Sequence, residues 1–577
     1  MFAERRKKGK KTQPYEETRL NLPSVDALPL QQLYHHERTR PDTIWLTQPS
    51  GDSVTHYTWR DAASQARRMA AWISQQGWPA GSRIAILGKN SAHWIIADLA
   101  IWMAGHVTVP LFPANTGENA GQILAHSRAV ACFVGRLDDW ARFEPALPAR
   151  LTRIALPLAP AIEALQWDEI MATTAPMEGE RTRSADDLAT IVYTSGTTGV
   201  AKGVMHSFAT LTAAVSMIST RIRYCDVDRM LSYLPLAHLA ERVLVELGSL
   251  WGGSRVYFGD TLATFGADLR RAQPTIFISV PRLWAKFQEG VSAKIAPAEL
   301  ERLLATPEAG EKVKKEILEG LGLAEVRFAV SGTAPILPEL LRWYNRLGLL
   351  ITEGYGMSEN AAASHSTLPG EFYPGTVGKP YPQLDVRLDP ATGEVQMRGP
   401  SLMLGYFEAP ELTRAAYTHD GWFRTGDKAE LDTHGNLKIV GRVKDNFKTT
   451  KGKYVAPAPI ENRLLTHPAL ENCLVAGAML HQPLALAVLT ETALNGSRHA
   501  GGRDALAQSL AAHLEQINAS LDPHERLQCI VICETPWSVE NGALTPTLKV
   551  KRSRVEELLA PRFEEWSRLG RPVIWNT

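Results

Sequence analysis

The stretch LATIVYTSGTTGVAKGV, residues 188–204, joins two unlike textures. Its first six residues are apolar and largely β-branched, the composition of a short buried strand. From Tyr193 onward, seven of eight residues are Gly, Ser, Thr or Tyr, and a lysine, Lys202, follows shortly after. Small residues at a strand end let main-chain N–H groups approach a ligand. The hydroxyls of Thr194, Ser195, Thr197 and Thr198 add donors around Gly196, and Lys202 adds a positive charge. Such a set makes an anion cradle suited to polyphosphate. It is not the phosphate loop GxxxxGK[ST]. Counting from Gly196, position 201 is Ala where Gly is required, and Gly203 stands where Ser or Thr would bind magnesium. An ordinary P-loop nucleotidase is therefore disfavoured. Taken alone, these residues could also form a flexible surface loop, the less favoured reading.

Outward from this stretch, strand and helix patterns alternate. WRDAASQARRMAAWISQQG (59–77) reads as a helix, SRIAILG (82–88) as a strand, AHWIIADLAIWMAG (92–105) as a helix and HVTVPLF (106–112) as a strand. Later, EVRFAVSG (325–332) reads as a strand and PELLRWYNRLG (338–348) as a helix. Alternation at this spacing implies parallel sheets covered by helices. Around 375–440 the texture changes to short strands and glycine turns, the mark of a small β-rich subdomain. Beyond Gly441 comes a compact α+β pattern that ends in the helical run RSRVEELLAPRFEEW. The expected organisation is α/β: a basic arm over 1–25, a large N-terminal domain over 26–440 and a small mobile α+β domain over 441–577. At 577 residues the chain exceeds what one core supports.

An apolar fraction of 45%, a charged fraction of 21% and a net charge of +1 give no general pull toward nucleic acid. The opening MFAERRKKGKK has six basic residues against one acid, which fits either a solvated disordered tail or a contact with anionic lipid. The start is not followed by an apolar run, so no secretory leader is expected. The five scattered cysteines suit reduced thiols in a cytoplasmic protein, with a peripheral seat on the inner face of the membrane left open. The most apolar segment, 92–112, is interrupted by His93, Asp98 and His106 and reads as a buried helix running into a strand.

Three further motifs bear chemistry. In EGYGMSE (353–359), Tyr355 offers a face for a base, Ser358 a hydroxyl for phosphate and Glu359 a carboxylate for a magnesium ion. GWFRTGD (421–427) ends in Asp427, which could accept hydrogen bonds from both ribose hydroxyls. LTPTLKVKR (544–552) places Lys549 and Lys551 near the end of the chain. Each motif alone has an ordinary reading as a turn or a solvated charge.

Their order, however, resembles the adenylate-forming superfamily of acyl-CoA synthetases, luciferases and peptide-synthetase adenylation domains, over nearly the whole chain after about residue 25. YTSGTTGVAKGV is similar to that family's phosphate loop, with Ala201 where Pro is usual. EGYGMSE, GWFRTGD, GRVKD (441–445) and LTPTLKVKR match its later motifs. LPLAHLAER (234–242), VPRLW (280–284) and KTTKGKYVAPAPIE (448–461) resemble the long-chain acyl-CoA synthetase branch. The resemblance implies acyl-AMP formation from a fatty acid and ATP, then transfer to coenzyme A. It also implies roles: Lys549 as catalytic cation and Glu359 as magnesium ligand; Thr194 to Lys202, Gly332, Thr333, Tyr355, Gly356 and Ser358 around the nucleotide. Asp427 and Arg442 would hold ribose. His238, Gly332 and Gly356 would border the acyl substrate, Lys444 would be the hinge, and Gly452 would lie on the path of the CoA thiol. In SGTAP (331–335), Thr333 replaces a customary Gly or Ala. Two other readings stay open: a ligase that loads a carrier protein, and a non-catalytic nucleotide or acyl binder. A homodimer also stays open.

Overall fold

The computed structural model describes residues 28–195, 201–478 and 480–576. The basic arm, the loop residues Gly196, Thr197 and Thr198, and the side chain of Ser195 lie outside the described residues. The strand expected at the opening motif forms over Leu188–Ser195, inside an eight-stranded sheet. To one side lie Val107–Leu111, Arg83–Leu87, Ala131–Val134, Thr152–Ala155 and Leu165–Gln166, all parallel. To the other side the chain returns antiparallel as Ala201–Ser207, with Thr194 opposite Lys202. The chain therefore resumes at Ala201 as a strand paired with the one before it, and not as a helix.

Helices Trp59–Gln75 and Ala92–Met103 cover this sheet. The first starts on a capping box in which Thr58 and Asp61 bond each other's main chain, a feature worth about 1 kcal/mol. The second is buried along its whole length, which is why its sequence approaches the hydrophobicity of a membrane span. No helix among the described residues is long and apolar enough to cross a membrane. Its one acid, Asp98, is fully buried and accepts from Arg242 Nε at 2.9 Å. Arg242 also donates to Thr190 Oγ1 at 2.7 Å and lies 5.1 Å from the Trp102 ring centroid. A buried ion pair adds little net stability, but losing one partner strands the other charge. This cluster ties the LPLAHLAER segment to the strand Leu188–Ser195.

A second sheet takes Ile276–Ser279, Phe328–Ser331 and Ile351–Tyr355 in parallel, then His365–Ser366 and Lys379–Pro380 antiparallel. Its outer face is packed by Trp284 and Tyr344, joined by a 2.6 Å hydrogen bond from the Tyr344 hydroxyl to the Trp284 carbonyl. A third, mixed sheet joins Arg229–Ser232, Arg255–Phe258, Ile44–Ser50 and Ser53–Thr58. The β-rich texture around 375–440 becomes an antiparallel sheet of Asp385–Leu388, Glu394–Arg398, Phe423–Leu431 and Leu437–Arg442. Its last strand runs to Arg442, two residues past the expected domain boundary, and Lys444 lies in the turn that follows.

The C-terminal part has its own four-stranded sheet and core, with the helix Gly502–Ala519 on one face. The pattern ending in a helix was incomplete. A further strand, Val573–Asn576, pairs parallel with Ile530–Cys533. All five cysteines are free.

Candidate active site

One cavity of about 1970 Å³ lies between the large domain and the C-terminal part. Strand Ile351–Tyr355 delivers Tyr355 into it, and the chain then turns at Gly356. A Cβ at Gly356 would lie 2.5 Å from the Ala362 carbonyl oxygen, so only glycine fits. The Tyr355 hydroxyl donates to Asp427 Oδ2 at 2.6 Å, and Arg442 Nε donates to Asp427 Oδ1 at 2.8 Å. Asp427 and Arg442 are direct cross-strand partners in the antiparallel sheet, so their pairing is set by register. Each Asp427 oxygen keeps acceptor capacity, which suits a vicinal diol.

Glu359 follows in the short turn Ser358–Asn360. One carboxylate oxygen accepts from the Tyr406 hydroxyl at 2.9 Å, while the other has no partner among the described residues. No cluster of three or more His, Cys, Asp or Glu able to hold a metal occurs among those residues. The turn is anchored from beneath by His206, whose Nε2 lies 2.7 Å from the Ser358 carbonyl. Burial, partly opposed by that hydrogen bond, pushes the His206 ring down to about 4. It is therefore neutral, and Nε2 carries the donated proton. Lys202 stands nearby, its ammonium 5.4 Å from the Tyr406 ring centroid.

Thr194, Gly332 and Thr333 line the same cavity. Thr333 does so with φ at +69°, a left-handed conformation that a β-branched residue rarely takes. Glu353, also in the wall, accepts from the Gly375 amide at 2.9 Å, and burial raises its carboxyl to about 8. His238 accepts at Nδ1 from the Ala240 amide at 3.1 Å. Burial, with Lys549 adding to it, pushes the ring down to about 4. The neutral ring then has its proton on Nε2, a donor without a partner among the described residues. Beside it the wall turns apolar. Ile222, Leu234, Leu244, Ile278 and Val330 line the cavity and continue into the main core.

Lys549 reaches the cavity from the C-terminal part on a tight turn. The Thr545 amide donates to the Lys549 carbonyl at 2.8 Å, the Lys549 amide to Thr545 Oγ1 at 3.0 Å, and Leu544 bridges Val550. Lys549 is exposed, but to the inside of the cavity. The surrounding walls still strip enough water to hold its ammonium below the ordinary lysine range. Arg442 adds to that lowering, and Asp427 and Glu359 oppose it. Lys444 sits on the cavity rim. Gly452 does not line the cavity. It occupies an exposed turn at φ +71°, between Phe447–Lys448 and Tyr454–Val455.

Thus Tyr355, Asp427, Arg442, Glu359, His238 and Lys549 share one cavity, although they come from segments up to several hundred residues apart. The sequence reading missed Tyr406 and His206, which orient Glu359 and the Ser358 turn. HS at 206–207 closes an alternating run after the loop, a signal for a paired strand that places His206 beside the site.

A cavity that gathers the Asp427–Arg442 pair, a Glu359 oxygen without a partner among the described residues and Lys549 suits a charged, polar substrate, and the chain belongs to the AMP-binding enzyme family. The AMP-binding enzyme model matches residues 33–407, and the AMP-binding enzyme C-terminal domain matches 444–566. Among curated relatives, the chain is 30% identical to long-chain-fatty-acid–CoA ligase FadD15 of Mycobacterium bovis, covering 92% of this chain and 96% of that protein. It is 28% identical to the peroxisomal long chain acyl-CoA synthetase 6 of Arabidopsis thaliana, over 88% of this chain and 81% of the relative. The fold is shared with the adenylation domain of a carboxylic acid reductase from Segniliparus rugosus, solved with AMP and a co-purified carboxylic acid. There the TM-score is 0.75 at 22% identity, covering 93% of this chain and 94% of that one.

Proposed function

We propose that the protein is an ATP-dependent long-chain fatty acid–CoA ligase that forms acyl-AMP with release of pyrophosphate, then acyl-CoA with release of AMP. The observation that carries this reading is the Lys549 ammonium, brought by the C-terminal turn into the same cavity as Asp427, Arg442, Glu359 and the neutral His238. The curated relatives support the acyl and thiol substrates.

A fatty carboxylate enters with its chain along Ile222, Leu234, Leu244, Ile278 and Val330, where each buried methylene contributes about 0.8 kcal/mol. His238 Nε2–H donates to one carboxylate oxygen, and Lys549 offsets the negative charge shared by that carboxylate and the α-phosphate. The other oxygen attacks phosphorus, the α–β bridging bond breaks, and pyrophosphate leaves. A cation fixed where charge gathers needs no reorganisation during the step. Asp427 and Arg442 hold the ribose, and Tyr355 lies on the base. Glu359 suits a magnesium ion, because one of its oxygens is unclaimed and this ion commonly takes one or two carboxylates besides phosphate oxygens. When bound, that ion neutralises phosphate charge. In the second step the CoA thiolate attacks the acyl carbonyl and AMP departs with the bonding pair. For that step Gly452 would have to approach the site, so the C-terminal part must move about Lys444.

The test is pyrophosphate release by the purified full chain with ATP, magnesium and palmitate, with and without CoA, alongside mass analysis of the products. The reading requires palmitoyl-CoA and AMP in equal amounts. Palmitoyl-AMP that accumulates despite CoA, and clears only with a carrier protein, would favour the carrier-loading alternative. No pyrophosphate from any fatty acid would leave a binder.

A further inference from the structure

The Lys549 turn is joined to a neighbouring turn, Ser538–Gly542, by main-chain bonds. The Leu544 amide donates to the Ser538 carbonyl at 2.9 Å, and the Lys551 amide donates to the Ala543 carbonyl at 2.8 Å. Asn541 stiffens this neighbour: its side chain accepts from the Ser538 amide at 3.0 Å and donates to the Pro536 carbonyl at 2.9 Å. Glu540 stands at its tip and forms a 3.2 Å ion pair with Arg142 of the large domain. Arg142 is itself fixed to the cavity rim. Its other guanidinium nitrogen donates to the Ala114 carbonyl at 2.8 Å. Its own carbonyl lies so near Gly117 that a Cβ there would stand 2.1 Å away. On the far side of the domain boundary, Arg282 pairs with Glu471 at 2.6 Å. Two contacts at separate points fix an orientation, where one would allow pivoting.

We infer that Arg142 and Glu540 are positioning residues for acyl-AMP formation: their ion pair seats the turn that presents Lys549 over the cavity. Glu540 borders the cavity, but the role assigned to the pair is to hold the turn and not to contact substrate. The pair acts through the Ser538–Gly542 turn and its main-chain bonds to the lysine turn. Because Glu540 is 63% exposed and Arg142 27% exposed, the contact is screened by salt and is weak enough to break when the C-terminal part moves. The pair therefore favours the first half-reaction without locking the protein in it. This inference rests on the two-step reading proposed above.

The experiment uses the full chain with Arg142→Glu, Glu540→Arg and the double exchange. Palmitate-dependent ATP–pyrophosphate exchange reads the first step, and CoA thioester formation from supplied palmitoyl-AMP reads the second. Each single reversal should slow the first step about 3- to 10-fold, the scale of turning a surface attraction into a repulsion. The second step should stay within about 2-fold of the parent. The double exchange should recover at least half of the parent rate, although the carboxylate then facing the Ala114 carbonyl can no longer donate to it. Amide hydrogen exchange over residues 538–550 reads the same contact without substrate. It should rise in each single reversal and fall back in the exchange. Equal loss of both half-reactions, or no recovery on exchange in rate and in hydrogen exchange, overturns the inference. If the parent protein activates no fatty acid, the proposed function fails, while the hydrogen-exchange arm still decides whether the pair seats the turn.

Discussion

Replacing Lys549 by alanine removes a cation of the C-terminal part that lies within the electrostatic reach of Asp427, Arg442 and Glu359 in the cavity. Two unit charges about 4 Å apart interact by about 4 kcal/mol at an effective dielectric constant near 20. Removing one preorganised contact to developing charge costs about 10²- to 10³-fold in rate. Lys549→Ala should therefore lower palmitoyl-AMP formation by at least about 10²-fold. It should leave the reaction of supplied palmitoyl-AMP with CoA nearly unchanged, because the lysine serves only the step in which charge gathers on phosphorus. Lys551→Ala is the control. Its main chain fastens the turn through Ala543, and although it lines the same cavity it is not among the charges that act on Lys549 there. The assays are pyrophosphate release and direct detection of the thioester. Loss of both half-reactions in Lys549→Ala, or loss of adenylation in Lys551→Ala instead, would falsify this placement of the catalytic charge.

Four other outcomes follow from the same geometry. Because burial lowers the Lys549 ammonium below its ordinary value, the cation is lost as pH rises through that lowered value; adenylation should have a basic limb below pH ~10.5, and Lys549→Arg should move that limb upward, which a pH–rate profile reads. Glu359→Gln keeps an acceptor for Tyr406 but weakens the hold on magnesium; adenylation should fall about 10-fold or more and be partly restored by excess magnesium, and full activity at low magnesium would assign the ion to another residue. Lys444→Pro stiffens the turn just after Leu437–Arg442; thioester formation should collapse while adenylation survives, and equal loss would count against motion about this turn. Thr333→Gly relieves a left-handed β-branched residue; the strain of ~1–3 kcal/mol less the entropy of glycine should leave about 1 kcal/mol of added stability in denaturant unfolding, and a lower midpoint would show that Thr333 is not strained.

What could be read from the sequence is what local chemistry dictates. The helix Ala92–Met103 and the strands Val107–Leu111 and Leu188–Ser195 follow from apolar runs of the right length. Tyr355, Asp427 and Lys549 were legible because each stands in a short motif whose order along the chain carries information. Less legible was whatever depends on distant partners. Val573–Asn576 has only four residues to announce a strand and gains its place by pairing with Ile530–Cys533. The return strand Ala201–Ser207 alternates faintly, because Ala201, Gly203 and Ser207 carry little side chain to mark a face. Arg142 and Glu540 are separated by nearly four hundred residues, and neither lies in a motif. The neutrality of Glu353 and His238 comes chiefly from burial, with Lys549 adding to it at His238: the same residues in water would be charged or titrating near neutrality.

The charges in the cavity also bear on why two domains are needed. Arg442 has Asp427, but Lys549 forms no ion pair with a described residue, and its ammonium stands where burial disfavours it. Without substrate, bringing Lys549 inward loses hydration and sets it against Arg442, and the attraction of Asp427 and Glu359 offsets only part of that. The screened pairs Arg142–Glu540 and Arg282–Glu471 offset only part of that. A bound nucleotide reverses the balance, since its phosphates bring further negative charge to Lys549. Closure is then favoured when phosphate is present, and it becomes less favourable once pyrophosphate has carried most of the negative charge away and the carboxylate has lost its own in the mixed anhydride, leaving a single charge on the α-phosphate. On this account the electrostatics that accelerate the first step also release the C-terminal part for the second. Weak surface contacts at the domain boundary suit this better than a strong interface would, because the charge of the substrate, not the contact between domains, has to decide which orientation prevails.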